Sequence, residues 1–158
     1  MPDDLWGFAL TLYARPGVEA ACLRAQARGA DVCLLLTGAW LGRRGVACRA
    51  ERARALKALA APWRETVVQP LRSLRDAWRD APEDADLAAL RQRLKALELE
   101  SERVLLKRLE DRARAWAAET IGSPDLGVRA WLDALAGNAA EPAAEALEHM
   151  GRAALDGG

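Results

Sequence analysis

An all-α fold, a compact orthogonal or irregular bundle of about seven to eight helices around a buried third helix, follows from three features of the sequence. Apolar residues recur three or four positions apart through nearly every segment, which is the period of a helix face and not the alternation of a strand. Alanine is abundant and β-branched residues are few, a composition that favours closely packed helices. The run over residues 32–41 carries no charge and has no polar side, as an element buried all round requires.

The first helix is expected over residues 4–14, with Leu5, Phe8, Ala9 and Leu12 as its stripe and Trp6, Leu10 and Tyr13 widening it. Arg15, Pro16 and Gly17 make a sharp connection, with Pro16 near the start of a second helix that turns Val18, Ala21, Cys22 and Ala25 inward. Gly29 can take the left-handed conformation that closes this helix, and Asp31 is the expected N-cap of the third, since its carboxylate can accept from the unpaired amides of the first turn. Val32, Leu35, Leu36 and Trp40 then share one face. Thr37 and Gly38 permit a close approach by a neighbour, and Gly42 or Gly45 can end the helix beside Arg43 and Arg44.

Residues 49–79 keep a helical phase through Leu56, Leu59, Trp63, Val67, Leu71, Leu74 and Trp78, although Pro62 and Pro70 each remove a backbone bond and divide the segment into two or three pieces as readily as they leave it one. After a turn at Asp80, Ala81, Pro82 and Glu83, a long helix is expected over residues 84–120, its apolar side running from Leu87, Leu90, Leu94 and Leu97 through Ser101, Val104, Leu105 and Leu109 to Trp116. Unbroken, it would be about 54 Å long. A globule of this size has a radius of gyration of about 15 Å, so such a helix would overhang it or meet a second subunit, and the chain is expected to be a monomer or a homodimer. Gly122, Ser123 and Pro124 then break the chain before two short helices, over 124–136 and 141–155, separated by Gly137 and Asn138. The whole reads as one domain over residues 1–155, with an N-terminal helical unit over 4–79.

Charge is balanced overall, with 23 basic and 23 acidic residues, but it is unevenly placed. Residues 43–79 carry ten basic and three acidic groups, and this excess defines a candidate basic interaction face of Arg43, Arg44, Arg49, Arg52, Arg64, Arg72, Arg75 and Arg79. Its partner would be an acidic protein surface or another anionic surface; nucleic acid is the narrower alternative, with Trp63 and Trp78 available to stack on bases. The acidic start of the chain is unlike a signal peptide, no apolar run is long enough to span a bilayer, and three cysteines, Cys22, Cys33 and Cys48, match no zinc spacing; a cytoplasmic protein with reduced thiols is expected.

Catalytic chemistry is thin. Glu98 and Glu102 share a helix side, but the single histidine, His149, supplies no Glu-x-x-His pair for a di-iron site, and the glutamates read as an exposed surface pair. Cys48, near Arg44 and Arg49, is the thiol closest to an activating setting, whereas Cys33 reads as buried and inert. No phosphate loop or nucleophile elbow is present, so no catalytic residue, metal or cofactor is assigned and an enzyme is the less favoured reading. A pocket beside the third helix, lined by Asp31, Thr37, Trp40 and Trp63, is the alternative to the basic face and would hold a small molecule.

The strings LYARPGVEAACLRAQ, GADVCLLLTGAWL and WRETVVQPLRSLR resemble, in order, the blocks of a family of small proteobacterial proteins described only as a domain of unknown function. The resemblance covers about residues 6 to 78 and implies a discrete domain, with no activity, cofactor or catalytic residue to carry across. In the resembled pattern an asparagine stands where this chain has Cys33.

Overall fold

The computed structural model describes residues 1–80, 83–119 and 123–156. Among these residues there are eight α-helices and no strand: α1 (Leu5–Tyr13), α2 (Val18–Ala27), α3 (Val32–Arg43), α4 (Ala50–Trp63), α5 (Gln69–Ala77), α6 (Ala85–Ala113), α7 (Pro124–Ala136) and α8 (Ala144–Leu155). The all-helical bundle expected from the sequence is therefore the fold. Ala81 and Pro82 of the expected turn, Thr120 at the expected end of the long helix and Gly122 of the expected break lie outside the described residues.

Helix α3 is the axis of the molecule. Every residue from Cys33 to Gly42 is buried, so the uncharged run is covered on all sides. Its punctuation is as the sequence indicated: Gly29 has φ +97°, and the Asp31 side chain accepts from the Cys33 and Leu34 amides. Gly45, at φ +78°, follows the end of the helix, while Gly42 stays helical and lies against the backbone of Val128 in α7. The Thr37 hydroxyl donates to the Cys33 carbonyl at 2.7 Å, which satisfies a fully buried polar group within the helix itself.

Around this axis α7 packs closely along one side, α8 packs on α7 and α2, and α1 and α6 cover the opposite side. Trp131 of α7 is fully buried, and its indole Nε1 donates to the Val46 carbonyl at 2.7 Å. One core thus gathers residues from Leu5 to Ala154.

The two-proline segment stays helical through a local change of pitch, although its inner side departs from the expected stripe: Val68 is buried in place of Val67, and Leu74 is exposed. Residues 64–68 form a turn of π-helix between α4 and α5, and every junction residue remains in the right-handed helical region. The widened turn ends in the Gln69 amide bonding to the Arg64 carbonyl, five residues back, while the Thr66 hydroxyl donates to the Pro62 carbonyl at 2.7 Å. This turn lies immediately before Pro70, whose missing amide would interrupt an α-helix at this place.

The long helix is shorter than expected. Helix α6 is unbroken for 29 residues, about 44 Å, and stops at Ala113. Trp116 consequently lies beyond it and stacks on Trp131 with ring centroids 6.1 Å apart, flanked by the guanidinium groups of Arg52 and Arg112. Glu119 is tied back to the Gly45 carbonyl and to Arg49, so the chain is drawn toward the end of α3 instead of continuing the helix. The inner face of α6 is also narrower than the expected stripe: Leu94, Glu98, Ser101, Leu105 and Leu109 are buried, and Leu90, Leu97 and Val104 are exposed.

Candidate functional site

Where α1, α2 and the start of α3 face the π turn, α5 and α6, the helices leave a cleft of about 350 Å³. Its mouth is apolar. Leu10, Leu23 and Leu99 line it while remaining 52%, 54% and 53% exposed, and Trp6 lies beside them. Its lining carries charges of both signs: Asp31, Glu98 and Glu102 on one side of the balance, Arg64, Arg72, Arg75 and the exposed Lys95 on the other.

These charges are unequally satisfied. Glu98 is almost fully buried, and both its carboxylate oxygens accept from Arg75, at 2.5 and 2.8 Å. This charge-assisted pair, in which the single Nη1 nitrogen serves both oxygens, stabilises a buried carboxylate and fixes both side chains. Arg72 has no comparable partner. Its Nε is 3.7 Å from Glu98 and its Nη2 is 3.6 Å from Glu102, ion-pair distances too long for hydrogen bonds. Arg64 reaches the Gly29 and Ala30 carbonyls only at 3.5 and 3.4 Å. The cleft therefore holds two arginines whose donors are poorly used.

It also holds an acceptor that is not used. Asp31 Oδ1 takes both capping hydrogen bonds, at 3.0 and 3.4 Å, whereas Oδ2 is buried without a hydrogen-bond partner. A second cavity, of about 270 Å³, shares Ala30, Asp31 and Arg64 with the first, so Asp31 and Arg64 form the wall between them. Burial raises the Asp31 carboxyl above its ordinary value, opposed by Arg64, the capping amides and Arg72. Burial raises Glu102 as well, helped by the charge of Glu98 and opposed by Arg72 and Arg75. Tyr13 and Cys22, both on the cleft wall, are pushed up to about 12, mainly by burial, and burial lifts the Cys33 thiol too. The two cleft thiols are therefore protonated at neutral pH and are not activated nucleophiles.

A raised carboxyl has a definite consequence for stability. The folded chain holds the Asp31 and Glu102 protons more tightly than the unfolded chain, so the contribution of these groups is most favourable below their ordinary values of 3.8 and 4.5 and is lost as pH rises through the folded values. Asparagine caps a helix as well as aspartate does. Asp31→Asn is accordingly expected to keep the α3 cap, to gain about 1 kcal/mol at pH 7 by removing an unpaired buried charge, and to flatten the dependence of stability on pH between neutrality and the ordinary carboxylate range. Urea unfolding at pH 4 to 7 reads this directly; a variant that is less stable than the parent at pH 7 contradicts it.

Of the residues singled out in the sequence, the cleft brings together Asp31, Arg64, Arg72 and Arg75. The other members of the expected pocket have spent their polar atoms elsewhere. Thr37 is closed within α3, Trp40 Nε1 donates to the Asp3 carbonyl at 3.0 Å, and Trp63 Nε1 donates to the Ser101 carbonyl at 2.9 Å under the Arg108 guanidinium. The remaining arginines of the expected basic face are dispersed. Arg43 bonds the Ala154 carbonyl at the end of α8, Arg44 lies over Trp40, Arg49 and Arg52 pair with Glu119, and Arg79 pairs with Asp76. Cys48 is half-buried, with its thiol held above the ordinary value by burial, and its Sγ lies 3.6 Å from the Ala130 carbonyl.

Glu98 and Glu102 are the residues that periodicity alone placed wrongly, on an exposed surface. Their signal was present in a different form: Glu98 and Ser101 interrupt an otherwise apolar line from Leu94 to Leu105, and a carboxylate on such a line requires a cation from another segment.

A family model described as a protein of unknown function, DUF2390, matches residues 4–109. The chain belongs to the DUF2390 family. The match begins at the N-cap of α1 and runs through α6 as far as Leu109, well beyond the span of about residues 6 to 78 over which the sequence blocks suggested a family. Every residue lining the larger cleft, from Trp6 to Leu106, lies within this DUF2390 region, whereas α7 and α8, which complete the core, lie outside it. Neither the curated proteins nor the solved structures give a match to the chain. Among the described residues, no helix is long and apolar enough to cross a membrane, and no group of three or more His, Cys, Asp or Glu is placed to hold a metal ion.

Proposed function

We propose that this protein binds a small molecule in the cleft beside the start of α3. The observation that carries the proposal is Asp31 Oδ2, a buried acceptor left without a partner in the wall of a 350 Å³ cleft. Leaving such a group unsatisfied costs about 1 to 3 kcal/mol, and a serine cap, with a single side-chain oxygen, would avoid that cost without losing the helix start. A carboxylate kept there beside two under-used arginines is the arrangement of a site whose partner arrives from outside. The π turn adds to this, because it positions Arg64 and Val68 on the cleft wall.

The cleft volume lies toward the lower end of the range for small-molecule sites, and its apolar mouth with a few polar groups inside is their usual composition. A docking surface for an anionic macromolecule is less well supported. A partner at residues 43–79 would have to displace Glu119, Asp76 and the α8 carbonyl from the arginines it needs.

A thermal-shift screen against a metabolite set tests the reading. Some compounds are expected to raise the melting temperature of the parent and to lose that effect in Leu10→Trp/Leu23→Trp, which narrows the mouth at two exposed positions without entering the core. A set of hits that stabilises parent and narrowed variant equally would place binding elsewhere and overturn the proposal.

A further inference from the structure

We infer that the ligand is a small zwitterion with an apolar side chain, the chemistry of a free apolar α-amino acid; this rests on the cleft being a binding site. The groups in the cleft differ in how far they are already satisfied. Glu98 and Arg75 are closed on one another by two hydrogen bonds and act as a fixed floor. The groups with capacity left inside the cleft are of both kinds: Asp31 Oδ2 and Glu102 as acceptors, Arg72 and Arg64 as donors, while Lys95 stands exposed to solvent at the cleft edge. All four belong to one cavity wall, and Arg72 lies close enough to act electrostatically on both carboxylates.

Each simpler ligand leaves part of this arrangement unmet. A plain anion would use Arg72 and Arg64 but would be repelled by Asp31 and Glu102. A plain cation would meet the reverse. An uncharged apolar molecule would fill the mouth and leave Asp31 Oδ2 as it is. An ammonium donating to Asp31 and a carboxylate accepting from Arg72 answer both deficits at once, and forked guanidinium donors suit a carboxylate. Leu10, Leu23, Leu99 and Trp6 then receive the apolar side chain at the mouth. Arg64 reaches the Gly29 and Ala30 carbonyls by two long hydrogen bonds, so it can turn toward the bound carboxylate, and Asp31 Oδ2, buried in the free protein, comes into reach of the ammonium with a movement of the wall that the two cavities share.

Calorimetric titration at pH 7 with L-phenylalanine, L-leucine, N-acetyl-L-phenylalanine and phenethylamine tests this on the intact chain. Both amino acids are expected to bind, and the two analogues, each lacking one charge, to bind tenfold or more weakly, as loss of a charge-assisted hydrogen bond predicts. Asp31→Asn should weaken L-phenylalanine by a similar factor while binding N-acetyl-L-phenylalanine no more weakly than the parent does, and Arg72→Met should weaken L-phenylalanine while binding phenethylamine no more weakly than the parent does. Unfolding curves for both variants separate lost binding from lost folding. If N-acetyl-L-phenylalanine binds the parent as tightly as L-phenylalanine, or if neither amino acid binds while other compounds still discriminate parent from Leu10→Trp/Leu23→Trp, the zwitterion is wrong and the cleft reading stands. If no compound discriminates those two proteins, both fall.

Discussion

Trp131→Ala is expected to destabilise the protein by about 3 to 5 kcal/mol, the usual range for truncating a buried aromatic side chain. The residue is fully buried, its ring stacks on Trp116, and its indole nitrogen is the donor for the Val46 carbonyl just beyond α3. The alanine variant loses the ring and leaves that carbonyl unpaired, two effects with the same sign. Against a total stability of about 5 to 15 kcal/mol for a domain, this is a large fraction. Trp131→Phe should recover most of the packing and retain the loss of the hydrogen bond. Trp131 lines neither cavity, so the phenylalanine variant is expected to keep ligand binding at temperatures where it is folded. Denaturant unfolding measures both; an alanine variant within about 1 kcal/mol of the parent would show that α7 is not held as the packing indicates.

What the sequence made legible was local. Asp31 could be recognised as a cap and Gly29 as a helix end, because both depend on backbone groups within a few residues. That the chain stays helical through Pro62 and Pro70 was legible in the apolar spacing, while the π turn was not, and with it the shift that buries Val68 in place of Val67 and leaves Leu74 exposed. The cleft was only partly visible. Its wall is drawn from α1, α2, α3, the π turn, α5 and α6, and periodicity says which face of a helix is apolar without saying which other helix it meets. The same gap explains the arginines. Residues 43–79 read as one basic face since they carry the charge excess, yet Arg49 finds Glu119, Arg75 finds Glu98 and Arg43 finds the end of α8, each far along the chain. Asp31 shows both sides of the matter: one oxygen does what local sequence predicts, and the other has meaning only in the assembled cleft.

Gly42→Ala is expected to cost about 3 kcal/mol or more, at the upper end of what overpacking a core produces. A Cβ at this position would stand 2.6 Å from Val128 Cα, 2.7 Å from Val128 N and 2.9 Å from Gly127 C. These are backbone atoms of α7, so no side-chain rotation relieves the overlap and the two helices must separate. The facing glycine provides the control. A Cβ on Gly127 would meet the Gly42 carbonyl oxygen at 3.5 Å and its Cα at 3.9 Å, ordinary contacts, and alanine is the better helix former by about 0.5 to 1 kcal/mol. Gly127→Ala should therefore be neutral or slightly stabilising, although it lies in the same interface. Equal losses from the two substitutions would mean that α3 and α7 do not cross at the separation described. The consequence reaches the cleft, because Asp31 caps the opposite end of the helix that Gly42 seats on α7. Pushing α3 off α7 shifts that cap against Arg64 and Arg72, so Gly42→Ala is expected to weaken cleft binding even where the variant remains folded, and Gly127→Ala to leave it intact.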